Sequence, residues 1–186
     1  MKKTIKKGMI MVPMPVLIIG TYDENGVPNA MNAAWGMQCD TDMITISLGN
    51  HKTTENLKLK GAFTIAFATK ETLVASDYFG VETGAKVNKI ERAGFHAKKG
   101  DCVDAPVFDE YPVTLECLVT ELADDEGDYR LTGKVVNVVA DDAVLDENGR
   151  VDLGRMNLIC YDSAKHAYRL VGDIVGQAFH DGLVLK

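Results

Sequence analysis

The sequence predicts a mainly β protein, an antiparallel barrel that is closed or nearly closed. Three observations lead there. Six or seven short runs of β-branched and apolar residues punctuate the 186 residues, and most helix-forming stretches are confined to connections between them. No GxGxxG follows any strand, as a doubly wound sheet with regular strand and helix alternation would lead one to expect. Closure is favoured because it removes exposed strand edges. At 46% hydrophobic the chain supports one substantial core and is short for two, so residues 1–186 read as a single domain.

The elements follow in order. Val16 to Tyr22 is a first strand, and the Asn-Gly pair in Asp23-Glu24-Asn25-Gly26 is a hairpin signal. The returning strand starts near Pro28 and carries Asn29 to Gly36. Met43 to Leu48 alternates with period two as a third strand, and Ala62 to Ala68 is a fourth. Between them Thr54 to Lys60 reads as a short helix, with Thr53 as N-cap, Glu55 in its first turn and Gly61 as its stop. Glu71 to Gly94 turns towards helix on the spacing of Leu73, Val74, Asp77 and Tyr78 and of Val87 and Ile90, interrupted by a two-glycine loop from Phe79 to Lys86. Val113 to Leu122 and Tyr129 to Ala140 form a second hairpin around the acidic turn Ala123 to Asp128. Asp146-Glu147-Asn148-Gly149 repeats the first turn sequence, though four residues make no internal repeat. A short strand at Leu158 to Tyr161, then Tyr168 to Gly172, leads into an apolar, glycine-punctuated tail.

A formal charge of −7 and a pI near 5.1 repel polyanions, and Lys and Arg gather into no basic face, so nucleic acid is excluded as a partner. Cys39, Cys102, Cys117 and Cys160 are dispersed, without CxxC or zinc spacing, and read as buried, non-catalytic thiols in a reducing, cytoplasmic setting; Cys39 alone lies near the functional stretch. Lys2, Lys3, Lys6 and Lys7 before Met9 to Ile19 imitate a signal peptide. Pro13 and Pro15 interrupt that run and no small-residue cleavage site follows. No run approaches the roughly 20 apolar residues of a membrane span.

Function concentrates between Asn29 and Asn56, which holds the single tryptophan, Trp35. Small and amide residues at its start let a flat ligand approach the backbone. Gly49-Asn50-His51-Lys52-Thr53-Thr54 at its end is a cationic turn opening a helix. Backbone N–H groups, a positive dipole end, a Lys and hydroxyls together suit a phosphate monoester, so ring and phosphate point to a nucleotide-like cofactor. Plainer readings stand beside these: Trp35 as a core aromatic, Lys52 as a solvated charge, Thr53 as only an N-cap, His51 as a turn residue, Thr83-Gly84 as a loop, and Lys86 and Lys89 as surface charges. Lys52 beside a helix N-terminus does not complement the dipole, which favours an anionic partner.

Asn29-Ala30-Met31-Asn32-Ala33-Ala34-Trp35-Gly36, then His51-Lys52-Thr53-Thr54-Glu55-Asn56-Leu57, then Ser76-Asp77-Tyr78-Phe79-Gly80 with Thr83-Gly84 and Lys89 resemble the flavin reductase-like, FMN-binding split-barrel proteins, and within them the flavoredoxin branch. The likeness runs from about Met9 to Gly182. It implies a six-stranded antiparallel split β-barrel of Greek-key type with a few short helices, a homodimer, and FMN near the subunit interface. Asn32 and Thr83 stand where Thr and Ser are expected, and Ile90 follows Lys89 where Phe is usual.

With that resemblance, the site expectation is explicit. Backbone groups of Asn29, Ala30, Met31, Asn32 and Ala33, and of Ser47 and Leu48, meet the flavin's pyrimidine edge. Trp35 contacts the ring or walls its pocket, His51, Lys52 and Thr53 hold the phosphate end, and Thr83, Gly84 and Lys89 close the site. No side chain stands out as catalytic, because the flavin carries the redox chemistry. The functional expectation is an NAD(P)H-dependent flavin reductase. Its alternatives are a flavoredoxin-like carrier that relays electrons to a redox partner protein, and a non-catalytic flavin-binding module.

Overall fold

The computed structural model describes residues 1–186. Its strands are β1 (Met14–Pro15), β2 (Leu17–Tyr22), β3 (Pro28–Ala33), β4 (Gly36–Gln38), β5 (Met43–Leu48), β6 (Ala62–Phe67), β7 (Ala97–Lys99), β8 (Pro106–Phe108), β9 (Val113–Asp125), β10 (Asp128–Ala140), β11 (Ile159–Asp162) and β12 (Ala167–Leu170). Its α-helices are α1 (Lys52–Lys60), α2 (Leu73–Val81) and α3 (Lys89–Ala93).

The main sheet has the order β3-β2-β6-β9-β10-β5-β4, with every pair antiparallel. Its two edge strands, β3 and β4, are separated in the chain only by Ala34 and Trp35. One bent segment therefore pairs with β2 on one side and β5 on the other, and the sheet curls back on itself. Counted as one bent strand, β3 and β4 reduce the seven strands of this sheet to the six expected of a split barrel. Of the smaller sheets, β1-β11-β12 contains the short strand expected at Leu158 to Tyr161 as β11, whereas its pairing and the β7-β8 sheet were not expected.

The alternation in β5 has a direct structural reading: Ile44, Ile46 and Leu48 enter the barrel core while Met43, Thr45 and Ser47 face outward. β2 lacks alternation because both its faces are covered. Leu17 and Ile19 join Ile46, Phe63, Ile65 and Leu131 inside the barrel, whereas Ile18 packs with Phe79, Ile90, Phe108 and Tyr111 in a second core under α2 and α3.

Several boundaries differ from the sequence expectation. α1 starts at Lys52 with His51 as N-cap, not at Thr54 after Thr53, because the Thr54 hydroxyl accepts the His51 N–H at 2.7 Å and turns the chain one residue pair earlier. Its stop is as expected: Gly61 has φ of 61°, left-handed backbone that favours glycine, and its N–H bonds Leu57 O. The expected Phe79 to Lys86 loop is shorter, since α2 continues through Gly80 to Val81. The second hairpin is longer, with only Glu126 and Gly127 between its strands, at φ of 55° and 97°. The two Asp-Glu-Asn-Gly turns share their chemistry: Asp23 Oδ1 accepts from Asn25 and Val27 N–H, and Asp146 Oδ1 accepts from Asn148 and Arg150 N–H.

A polar cavity where three elements meet

β3 is an edge strand, so alternate N–H and C=O groups along it face away from β2. Opposite that edge stand the start of α1 and the connection from α2 to α3. Together they enclose a cavity of about 370 Å³. Asn29, Met31 and Asn32 enter it from β3, His51, Lys52 and Thr53 from α1, and Thr83, Gly84 and Lys89 from the connection and α3. A smaller cavity of about 210 Å³ adjoins it and shares Asn29, Lys52, Gly84 and Lys86.

The side chains are held from behind. Asn29, 7% exposed, donates through Nδ2 to Thr53 Oγ1 at 3.0 Å, which leaves the Thr53 proton free to donate. Asn32 Nδ2 donates to Ser76 O at 2.8 Å and so ties β3 to α2. Lys89 is buried and donates to Phe79 O at 3.0 Å and Glu82 O at 3.1 Å, two carbonyls at the C-terminal end of α2. Burial lowers its pKa to about 8, with Glu82 acting in the opposite direction. Lys52 is ion-paired instead, 3.3 Å from Glu24 Oε2. At the start of α1 the N–H groups of Lys52 and Thr53 donate to no protein acceptor.

The lining brings cationic, amide and apolar groups into one cavity. Lys52, Lys86 and the open helix N-terminus suit an anion. The Asn29 and Asn32 amides, with the β3 edge, suit a neutral hydrogen-bonding ring, and Met31, Phe79 and Val81 supply apolar wall. The remaining expected residues contribute no side chain to this cavity. Ala30, Ala33 and Leu48 bury their side chains in the core, which leaves only their backbone groups to meet a ligand, as expected of them. The Ser47 N–H is already bonded to Trp35 O at 2.8 Å and is not free for a ligand. Trp35, 51% exposed, and Ser47 wall a separate, largely apolar cavity of about 930 Å³ with Met9, Met11, Met37 and Cys39.

Phe79, Gly80, Val81, Glu82 and Lys86 also line the polar cavity and were absent from the chosen set. Their signal was the apolar Phe79-Gly80-Val81 step before Glu82, masked by reading both glycines as loop. All four cysteines are free; Cys39 and Cys102 are exposed, against the expectation of burial, while burial pushes the Cys117 thiol up to about 12. A raised thiol pKa suppresses thiolate, so Cys117 is no nucleophile. No helix is long and apolar enough to cross a membrane.

A family model for the flavin reductase like domain matches residues 9–167. Flavoredoxin of Desulfovibrio vulgaris (Miyazaki F) superposes with a TM-score of 0.93 at 28% identity, over 98% of this chain and 100% of that one. A flavoredoxin from Methanosarcina acetivorans superposes with a TM-score of 0.92 at 26% identity, over 100% of both chains. An uncharacterized protein of Archaeoglobus fulgidus is 30% identical over 130 residues, 68% of this chain and 72% of its own.

Proposed function

The chain belongs to the flavin reductase-like domain family, and on that premise we propose that it is a flavin-dependent oxidoreductase holding FMN in the polar cavity, with NAD(P)H as reductant. The observation that carries the reading is the polar cavity beside β3, lined by lysines and by the open start of α1. Its volume lies within the roughly 300–1,000 Å³ of ligand pockets, and its cations and free helix N–H groups match a phosphate monoester.

Lys52 and the N–H groups of Lys52 and Thr53 would hold the phosphate, and Lys86 would add a second positive charge. Asn29, Asn32 and the free groups of the β3 edge would orient the ring, while Met31 would supply apolar wall beside it. Lys89 keeps the end of α2 closed over the cavity. Bound flavin supplies hydride acceptance and onward electron transfer, so no side-chain nucleophile is required.

The similarity of the whole chain to two flavoredoxins favours a second reading, in which FMN stays bound and relays electrons to a partner protein. Anaerobic addition of NADH or NADPH to the FMN-loaded protein separates the two. Rapid loss of the flavin absorbance supports the reductase; a yellow protein that bleaches only with a reduced protein donor supports the relay. Failure to bind FMN overturns both.

A homodimer belongs to this proposal. Trp35, Met37, Ile174, Val175 and Phe179 are exposed apolar side chains, and a two-fold interface would bury them. Sedimentation equilibrium tests it: a 20.3 kDa species at micromolar concentration with FMN fully bound refutes the dimer. The free thiols and the absence of a long apolar helix fit a cytoplasmic setting.

A further inference from the structure

Lys52, the cation to which the proposed function assigns the phosphate, already has an anionic partner. Its Nζ lies 3.3 Å from Glu24 Oε2 and 3.9 Å from Glu55 Oε2. Glu55 sits three residues along the same helix, but Glu24 comes from the turn between β2 and β3. That turn is braced without Glu24: Asp23 Oδ1 accepts from Asn25 at 2.9 Å and Val27 at 2.8 Å, and Asp23 N–H donates to Val27 O at 3.1 Å. Glu24 is therefore presented towards Lys52 by a turn whose shape its carboxylate does not maintain.

The two partners are unequally seated. The Lys52 side chain is 21% exposed and the Glu24 side chain 59%, so Lys52 stays against the cavity wall and Glu24 is the member able to swing into solvent. Its own backbone amide first, and then Lys52, hold the Glu24 carboxylate below its usual range, so it is ionised at neutral pH. A carboxylate and a phosphate monoester compete for the same ammonium, and held together on it they repel.

We propose that Glu24 is a specificity-determining residue: it occupies Lys52 in competition with the ligand's phosphate and so lowers the affinity for phosphorylated flavin without affecting riboflavin. This rests on the reading that places the phosphate at Lys52. Its consequence is a narrowed preference for FMN and a cofactor that exchanges more readily than the cavity alone would allow. An exposed ion pair of this kind contributes little on its own, so releasing Lys52 from it strengthens FMN binding by about two- to fivefold.

The test titrates FMN and riboflavin into the parent, Glu24→Gln, Lys52→Ala and the double variant, all full length, following flavin fluorescence. Glu24→Gln keeps the size of the side chain and leaves the Asp23 turn intact, and its thermal melting is expected to match the parent. The expected result is FMN binding about two- to fivefold tighter in Glu24→Gln, riboflavin binding unchanged, and a smaller gain when Lys52 is already Ala. If Lys52→Ala weakens FMN while Glu24→Gln leaves it unchanged or weakens it, the competition is overturned and the phosphate site stands. Tighter riboflavin binding by Glu24→Gln to the same extent also overturns it. If Lys52→Ala leaves FMN affinity unchanged, the phosphate site fails and the competition with it.

Discussion

Replacing Gly84 by Ala is expected to loosen the cavity from a position that need not touch the ligand. A Cβ at Gly84 would overlap Asn29 Oδ1 and lie 2.9 Å from Asn29 Cγ, while its contact with Lys89 Cε at 3.7 Å would be ordinary. Gly84 does not have left-handed backbone, so alanine there suffers no conformational strain; the whole effect passes through Asn29. Asn29 must swing away, which breaks its 3.0 Å hydrogen bond to Thr53 Oγ1 and strands two polar groups that are nearly out of contact with solvent. Leaving buried hydrogen-bonding groups unsatisfied costs about 1–3 kcal/mol.

Urea unfolding of the parent, Gly84→Ala, Asn29→Ala and the double variant measures this. Each single variant is expected to lose about 1–3 kcal/mol. The double variant is expected to lose little more than Asn29→Ala alone, because the side chain that clashes is gone. Losses that add to within about 0.5 kcal/mol, or a Gly84→Ala protein as stable as the parent, would refute the argument.

Three further outcomes follow from the geometry. Burial lowers the Lys89 pKa from 10.5 to about 8, so between those values the unfolded chain binds more protons and this group makes stability rise with pH; Lys89→Met should lack that rise when melting temperatures are compared across the window. Glu116, fully buried in β9, accepts from the N–H groups of Asp101 at 3.3 Å and Cys102 at 2.6 Å and from Asn137 Nδ2 at 3.0 Å. Glu116→Ala is expected to lose about 3 kcal/mol or more in urea unfolding, and Glu116→Gln, which retains one acceptor oxygen, less. Cys39→Ser should retain FMN binding and reduction, because the Cys39 Sγ donates to Met43 O at 3.5 Å and faces the cavity of Trp35, not that of Lys52; loss of reduction with FMN still bound would contradict this.

The mainly antiparallel sheet was legible because its signals are local. The alternation of β5, the two Asp-Glu-Asn-Gly turns and the Gly61 stop each depend on a few adjacent residues, and the structure has them. The cluster His51, Lys52 and Thr53 was legible for the same reason, since a strand, a turn and a helix start place them together whatever the rest of the chain does. Their individual roles were not. Thr53 is not the cap because Thr54 bonds back to His51, and it is turned inward by Asn29, 24 residues earlier.

Long-range pairing decided the remainder. Glu24 reaches Lys52 across 28 residues, and Lys89 is buried only because α2 ends above it. Trp35, six residues from Asn29 in the chain, lines a different cavity because β3 bends into β4 between two sheet partners. By itself the sequence determined strand periodicity, turn positions and the residue types of the polar site. Only the tertiary structure decided which of those residues share one cavity and which charges are already paired, because side-chain direction after a bend and ion pairing across a fold depend on packing partners that no local pattern encodes.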